Sequence, residues 1–275
     1  MQFNKIIIIG LGLIGGSLAL ALKKSGQVKH VVGVDVLPES VEIALRKGII
    51  DEGQVGIDEV VYDSDIVVIA THVGSIVDIA RAISVSDSTV VTDTGSVKEN
   101  IVNEIENSCN LRFIGSHPIA GTEKSGVSNV VDGLFKDKIT IITPTNNSTS
   151  EATETVTRMW TVIQSKVIRL SAQKHDEIFA HVSHLPHVCA FSLVNSLIKK
   201  DSTLFNYGGG GLKDFSRIAE SSPDMWVDIF IYNKDEILKA IDEYKDSLSE
   251  IENYIKKSDK KSLKNILGSS SNIKK

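Results

Sequence analysis

The stretch "KIIIIGLGLIGGS", Lys5 to Ser17, decides the fold. Its successive isoleucines are apolar at every position. That suits a strand buried on both faces of a parallel sheet better than one with a solvated side. The run ends in Gly10, Gly12 and Gly15, in G-x-G-x-x-G order, and a helical pattern from Leu13 to Lys24 follows. Strand, glycine turn and helix in that order form the context in which this spacing carries meaning. Gly10 makes the tight turn, Gly12 lets the backbone approach a pyrophosphate, and Gly15 lets helix and strand pack closely. The helix start, with Leu13 and Ile14, offers N–H groups and roughly half a positive charge to phosphates. A second strand ends at Asp35, about twenty residues past Gly15, where a carboxylate bonds ribose hydroxyls. Its charge would repel a 2′-phosphate, so the site is expected to take NAD rather than NADP. The competing reading is a structural glycine turn with Asp35 as a strand-end cap.

The same alternation continues. "HVVGVD", "DIVVIAT", "STVVTDTG", "LRFIGSH", "KITIITP" and "KVIRL" read as strands, mostly separated by helical patterns. Continuous apolar strands between helices predict an α/β, Rossmann-type doubly wound parallel sheet, with every strand's C-terminal end at one edge. Ligands bind at that edge, where Thr71 to Ser75 and Asp93 to Ser96 are expected; Thr71 is a candidate cofactor contact. Thr149 or Ser150 starts a helix after a loop-like stretch. After about Leu170 the strands vanish. Helical periods run from Ala172 to Lys199 and from Pro223 to about Lys257, broken by "NYGGGG". Ser222 reads as an N-cap before Pro223, and Asn233 with Glu236 has capping-box spacing. The chain is therefore expected to hold a cofactor domain over residues 1–170 and an all-helical domain over 171–275.

Bulk properties narrow the function. The 275 residues are 41% apolar and 24% charged, with net charge −5, ordinary for a globular protein. No dense Lys/Arg block precedes the C-terminal tail, which argues against nucleic acid as a partner. The basic tail reads as a solvated helix end. No apolar run reaches membrane-spanning length. Cys109 and Cys189 lack metal spacing, so neither a disulfide framework nor a zinc site is expected, and a reducing cytoplasm fits.

"GSHPIAGTEKSG", Gly115 to Gly126, gathers more chemistry than a loop needs. His117 follows a strand and so lies at the ligand edge, with Pro118 holding it extended. Imidazole is the side chain best suited to moving a proton at neutral pH. A dehydrogenase acting on an alcohol needs such an acceptor as hydride leaves carbon. The plainer alternative is a strand-end histidine satisfied by backbone.

Together with "GLGLIGGS", "DTGSVK", "HVSHLPH" and "GGGGLKDFSRIAESSPDMW", this stretch resembles the prephenate dehydrogenase family of tyrosine biosynthesis, from Lys5 to about Leu248. The resemblance implies that NAD takes hydride from the ring carbinol of prephenate and that the ring carboxylate leaves as carbon dioxide, giving 4-hydroxyphenylpyruvate. It implies that His117 accepts the hydroxyl proton with Ser96 as partner, that His187 binds substrate, and that Arg217 holds a carboxylate. Thr122 would lie near the substrate, and Lys213 would add positive charge. It also implies a homodimer paired through the helical half. With no regulatory or mutase segment after that half, a monofunctional enzyme is expected, any tyrosine feedback acting at the active site.

Each assignment has a rival. Ser96 begins a capping box with Glu99, a role expected in any case. His181, His184 and His187 invite a zinc reading, but Pro186 interrupts the helix and no acid or thiol completes the set; His184 is expected to be packed within the helix. Arg217 has Asp214 and Glu220 three residues away on either side, an ordinary surface pairing. Yet Lys213 and Arg217 share a helix face, which suits a dianion. One loop departs from the family's Ala-x-Pro-Val: here it is Ala70-Thr71-His72-Val73, which puts its shape in question. Functional rivals are arogenate dehydrogenase, another short-hydroxyacid dehydrogenase using Lys174 or Lys199, and a non-catalytic NAD sensor.

Overall fold

The computed structural model describes residues 2–57, 61–122 and 124–271. Its centre is an eight-stranded sheet made of β1 (Phe3–Ile9), β2 (Val28–Asp35), β3 (Glu52–Val55), β5 (Ile66–Ile69), β7 (Val90–Asp93), β8 (Arg112–Pro118), β9 (Ile139–Thr143) and β10 (Lys166–Arg169), ordered β10-β9-β8-β7-β5-β1-β2-β3. The two-residue strands β4 (Val61–Tyr62) and β6 (Ser84–Val85) pair separately.

Neighbours from β3 to β8 are parallel. β9 is antiparallel to β8, and β10 is parallel to β9. This corrects the expectation that every strand ends at one edge: "KITIITP" and "KVIRL" finish at the opposite one. A strand buried in a sheet looks apolar in either direction, so the sequence pattern does not carry polarity.

The isoleucine run shows why this strand lies at the centre. Ile6 and Ile8 face one layer, with Leu18, Leu22, Val156 and Trp160. Ile7 and Ile9 face the other, with Ile76, Ile101 and Trp226. The first layer holds α1 (Leu13–Lys24), α2 (Pro38–Arg46) and α5 (Ser150–Val162). The second holds α3 (Val73–Ala82), α4 (Glu99–Ser108) and, from the helical half, α9 (Pro223–Tyr232). Each fully buried isoleucine contributes about 1.5–3 kcal/mol, and the pleat sends successive ones to opposite layers.

After β10 the chain is helical: α6 (Ala172–Phe179), a π turn (Ala180–His184), α7 (Leu185–Lys200), α8 (Gly210–Ala219), α9, α10 (Lys234–Lys256) and α11 (Lys260–Ser271). The expected helix from Ala172 to Lys199 is interrupted by that π turn. Pro186 has no N–H to give the residue four before it, and a π turn accommodates such a break. Thr149 and Ser222 do cap their helices, accepting from Ala152 and Met225. Asn233 does not. Its side-chain amide points inward to Asp176 O and His184 Nδ1, at 3.0 and 3.1 Å, because buried acceptors need a donor. Among the described residues no helix is long and apolar enough to cross a membrane.

Candidate active site

The glycine turn has the geometry its spacing foretold. Gly10 sits at φ +98, and a Cβ there would lie 2.6 Å from Ala70 O. At Gly15 a Cβ would come within 1.9 Å of Gly10 O, whereas at Gly12 it would meet nothing within 4 Å. Two glycines are thus required by the protein's own backbone, and the third opens outward. The α1 N-terminus has no side-chain cap and no acid in its first turn, so the N–H groups around Leu13 and Ile14 and the helix dipole face outward. Asp35 accepts the N–H of Leu11 at 2.7 Å and of Leu37 at 2.9 Å. It therefore does serve as a strand-end brace, and a carboxylate retains further lone pairs for another donor.

Thr71 lies at the end of β5, its methyl against the Gly10 turn. His72 is exposed, with φ −59, inside the range to which a proline is locked. The loop therefore keeps the backbone that the family's proline would impose. Asp228 of α9 accepts the N–H of Gly74 at 3.1 Å and so ties this loop to the helical half.

His117, near the end of β8, is half-buried and joined to that half. Its Nδ1 is 2.8 Å from His175 Nε2, and His175 Nδ1 is 2.7 Å from Asp176 Oδ1. Phe179 packs on both rings, with centroids 4.9 and 4.5 Å away. Burial holds His117 well below the ordinary histidine range, and His175, Lys98 and His184 push the same way. Beneath it Lys98 is fully buried, paired with Asp93 and donating to Ser116 O at 2.9 Å.

Ser96 does not form the expected capping box. Helix α4 starts at Glu99, and the N–H groups of Lys98 and Glu99 go to the two oxygens of Asp176, each at 2.8 Å. A carboxylate is a stronger acceptor than a hydroxyl. The side chain of Ser96, half-buried, makes no hydrogen bond to a described residue.

The three helical histidines diverge. His181 is exposed and pairs with Glu243. His184 is buried against Asn233, as its packed reading anticipated, and burial lowers it to about 4. His187 stacks on Trp226 at 3.7 Å and is 2.9 Å from Ser183 O through Nδ1. Among the described residues no group of His, Cys, Asp or Glu is arranged to hold a metal. Lys213 and Arg217 lie exposed on α8, and neither side chain bonds a described residue, so the rival surface pairing of Arg217 with Asp214 or Glu220 does not form. Thr122 is exposed, its hydroxyl 3.2 Å from Lys124 N. Glu123 lies outside the described residues. Within one chain, hydrogen bonds gather His117, His175, Asp176 and Lys98; among the described residues no hydrogen bond joins Thr122, Lys213 or Arg217 to them.

Comparison with known proteins adds the chemistry. Residues 18–169 match the model of the prephenate dehydrogenase nucleotide-binding domain, and 171–269 that of the prephenate dehydrogenase dimerization domain. The chain belongs to the prephenate dehydrogenase family. Prephenate dehydrogenase of Bacillus subtilis is 33% identical over 94% of this chain and 72% of its own length. The crystal structure of prephenate dehydrogenase from Aquifex aeolicus, in complex with hydroxyphenyl propionate and NAD+, superposes with TM-score 0.94 at 40% identity, covering 98% and 97% of the two chains. Synechocystis arogenate dehydrogenase gives 0.83 at 26% identity, covering 97% of each.

For a prephenate dehydrogenase, the glycine turn fits NAD on three local observations: an uncapped α1, an open position at Gly12 and the acid at Asp35. Sequence reasoning placed Asp93 at the ligand edge but missed His175, Asp176 and Lys98. The only signal was Lys98 inside "DTGSVK" and a His-Asp pair after the helix-capping Ser171. Neither signals burial.

Proposed function

We infer that the protein catalyses the NAD-dependent oxidative decarboxylation of prephenate to 4-hydroxyphenylpyruvate. The observation that carries this reading is an uncharged, half-buried His117 at the same sheet edge as a dinucleotide turn, in a chain of this family. Gly10, Gly12, Leu13, Ile14, Gly15, Asp35 and Thr71 hold the cofactor, and the Asp35 charge disfavours NADP. Bound NAD supplies the hydride acceptor. His117 takes the ring hydroxyl's proton as hydride departs and returns it to the oxygen as the ring becomes aromatic. The bond from the ring to its carboxylate breaks, releasing carbon dioxide, and its electron pair enters the ring. Ser96, whose hydroxyl has no partner among the described residues, hydrogen-bonds the same hydroxyl. His187 and Thr122 line the substrate, and Arg217 with Lys213 neutralises its carboxylates.

The cofactor domain spans 1–170 and the helical domain 171–275. The latter forms a homodimer, supported by its family and by exposed Val182, Val227, Ile231 and Leu248. Two unpaired cysteines suit the reducing cytoplasm. The test is a spectrophotometric assay with NAD or NADP against prephenate and arogenate. Turnover with NAD and prephenate is expected. Preference for arogenate would move the substrate assignment, and four blanks would favour an NAD sensor.

A further inference from the structure

We propose that His175 and Asp176 are positioning residues that fix the tautomer of His117, leaving its Nε2 as the proton acceptor. The inference rests on His117 being the base. It begins at Asp176, whose oxygens receive three groups: the N–H of Lys98, the N–H of Glu99, and His175 Nδ1. A carboxylate bonded this way only accepts, so His175 Nδ1 carries the hydrogen. An uncharged imidazole has one N–H, which makes His175 Nε2 a lone pair. The 2.8 Å contact from His117 Nδ1 to that atom therefore requires His117 to donate, and its other nitrogen is bare.

The surroundings explain why the relay is needed. His117 faces His175 and Asp176 of α6, Lys98 at the start of α4 with its partner Asp93 of β7, and His184 of the π turn. Lys98 and the neighbouring histidines oppose a charged His117. Asp176, reached through His175, offsets them when the proton arrives. Phe179 lies against both rings and keeps water from competing. The same carboxylate caps α4, so it also fixes the segment that carries Ser96.

Two substitutions in the full chain separate positioning from packing. His175→Gln keeps a carbonyl that can accept from His117 Nδ1; His175→Leu fills the space with no acceptor. Positioning predicts that His175→Leu lowers kcat by about tenfold to a hundredfold. KM for prephenate and NAD affinity should change little, and the acid limb of kcat/KM should shift. His175→Gln should recover most of kcat. A packing role predicts the reverse, because leucine suits a buried site better than an amide: His175→Leu at least as active as His175→Gln, with an unmoved pH profile, overturns the proposal. His117→Asn is run beside them. Full activity in His117→Asn removes the base itself, whereas its loss together with an active His175→Leu removes only the relay. If His175→Leu does not fold, imidazole nitrogen NMR of the wild type decides: a hydrogen on His117 Nδ1 is expected, and one on Nε2 overturns the proposal.

Discussion

At the scale of the residue, the environment of His117 makes a prediction about pH. Burial, then His175, Lys98 and His184, all disfavour its charged form. The active form is the uncharged one, so kcat/KM should fall on acidification, and the midpoint should lie below the ordinary histidine value of about 6.5. An acid limb centred at or above that value would contradict the burial argument. Arg217 makes a different prediction, because its side chain is exposed with no partner among the described residues and its proposed part is to bind. Arg217→Ala should raise KM for prephenate roughly tenfold to a hundredfold, from the loss of about 1.5–3 kcal/mol, with a smaller effect on kcat. An unchanged KM would discard the carboxylate role. His117 was legible because a histidine at a strand end, after a dinucleotide turn, is a pattern local to the chain. Its partners were not, since His175 lies 58 positions away along the chain, with Asp176 next to it, and only the fold brings them near.

At the scale of the element, the glycine turn separates folding from cofactor binding. At Gly15 a Cβ would collide with Gly10 O at 1.9 Å. Gly15→Ala should therefore destabilise the protein by about 1–3 kcal/mol, seen as a lower melting temperature. At Gly12 the space is empty. Gly12→Ala should leave the melting temperature alone and weaken NAD by about tenfold or more, the equivalent of about 1.4 kcal/mol. Loss of stability at Gly12, or full NAD affinity in that variant, would refute the assignment. The strands around this turn were legible from apolar runs, and α1 from its periodicity. The direction of β9 and β10 was not, because a doubly buried strand looks alike both ways. Nor was the start of α4. Ser96 and Glu99 had the spacing of a capping box, but the carboxylate of Asp176 supplied a stronger acceptor from another element.

At the scale of the molecule, the sheet and the helices are joined by polar contacts that depend on uncharged imidazoles. His184 is buried and held at about 4, against 6.5 in the unfolded chain. As pH falls below about 6.5, the unfolded chain binds this proton first, so stability declines until the pH reaches the folded value. The loss is on the order of 3 kcal/mol for this one group. Urea unfolding between neutral pH and about pH 4.5 should show that decline, and His184→Gln should flatten part of it; an unchanged slope in the variant would remove His184 as a source. The central claim concerns the site where these two halves meet, with a hydride acceptor and an uncharged imidazole serving one alcohol carbon. Its most direct test is the turnover of His117→Asn with prephenate and NAD, measured beside NAD binding by the same preparation. The account predicts turnover reduced about 100- to 10,000-fold with NAD affinity intact; turnover equal to the wild type would contradict it.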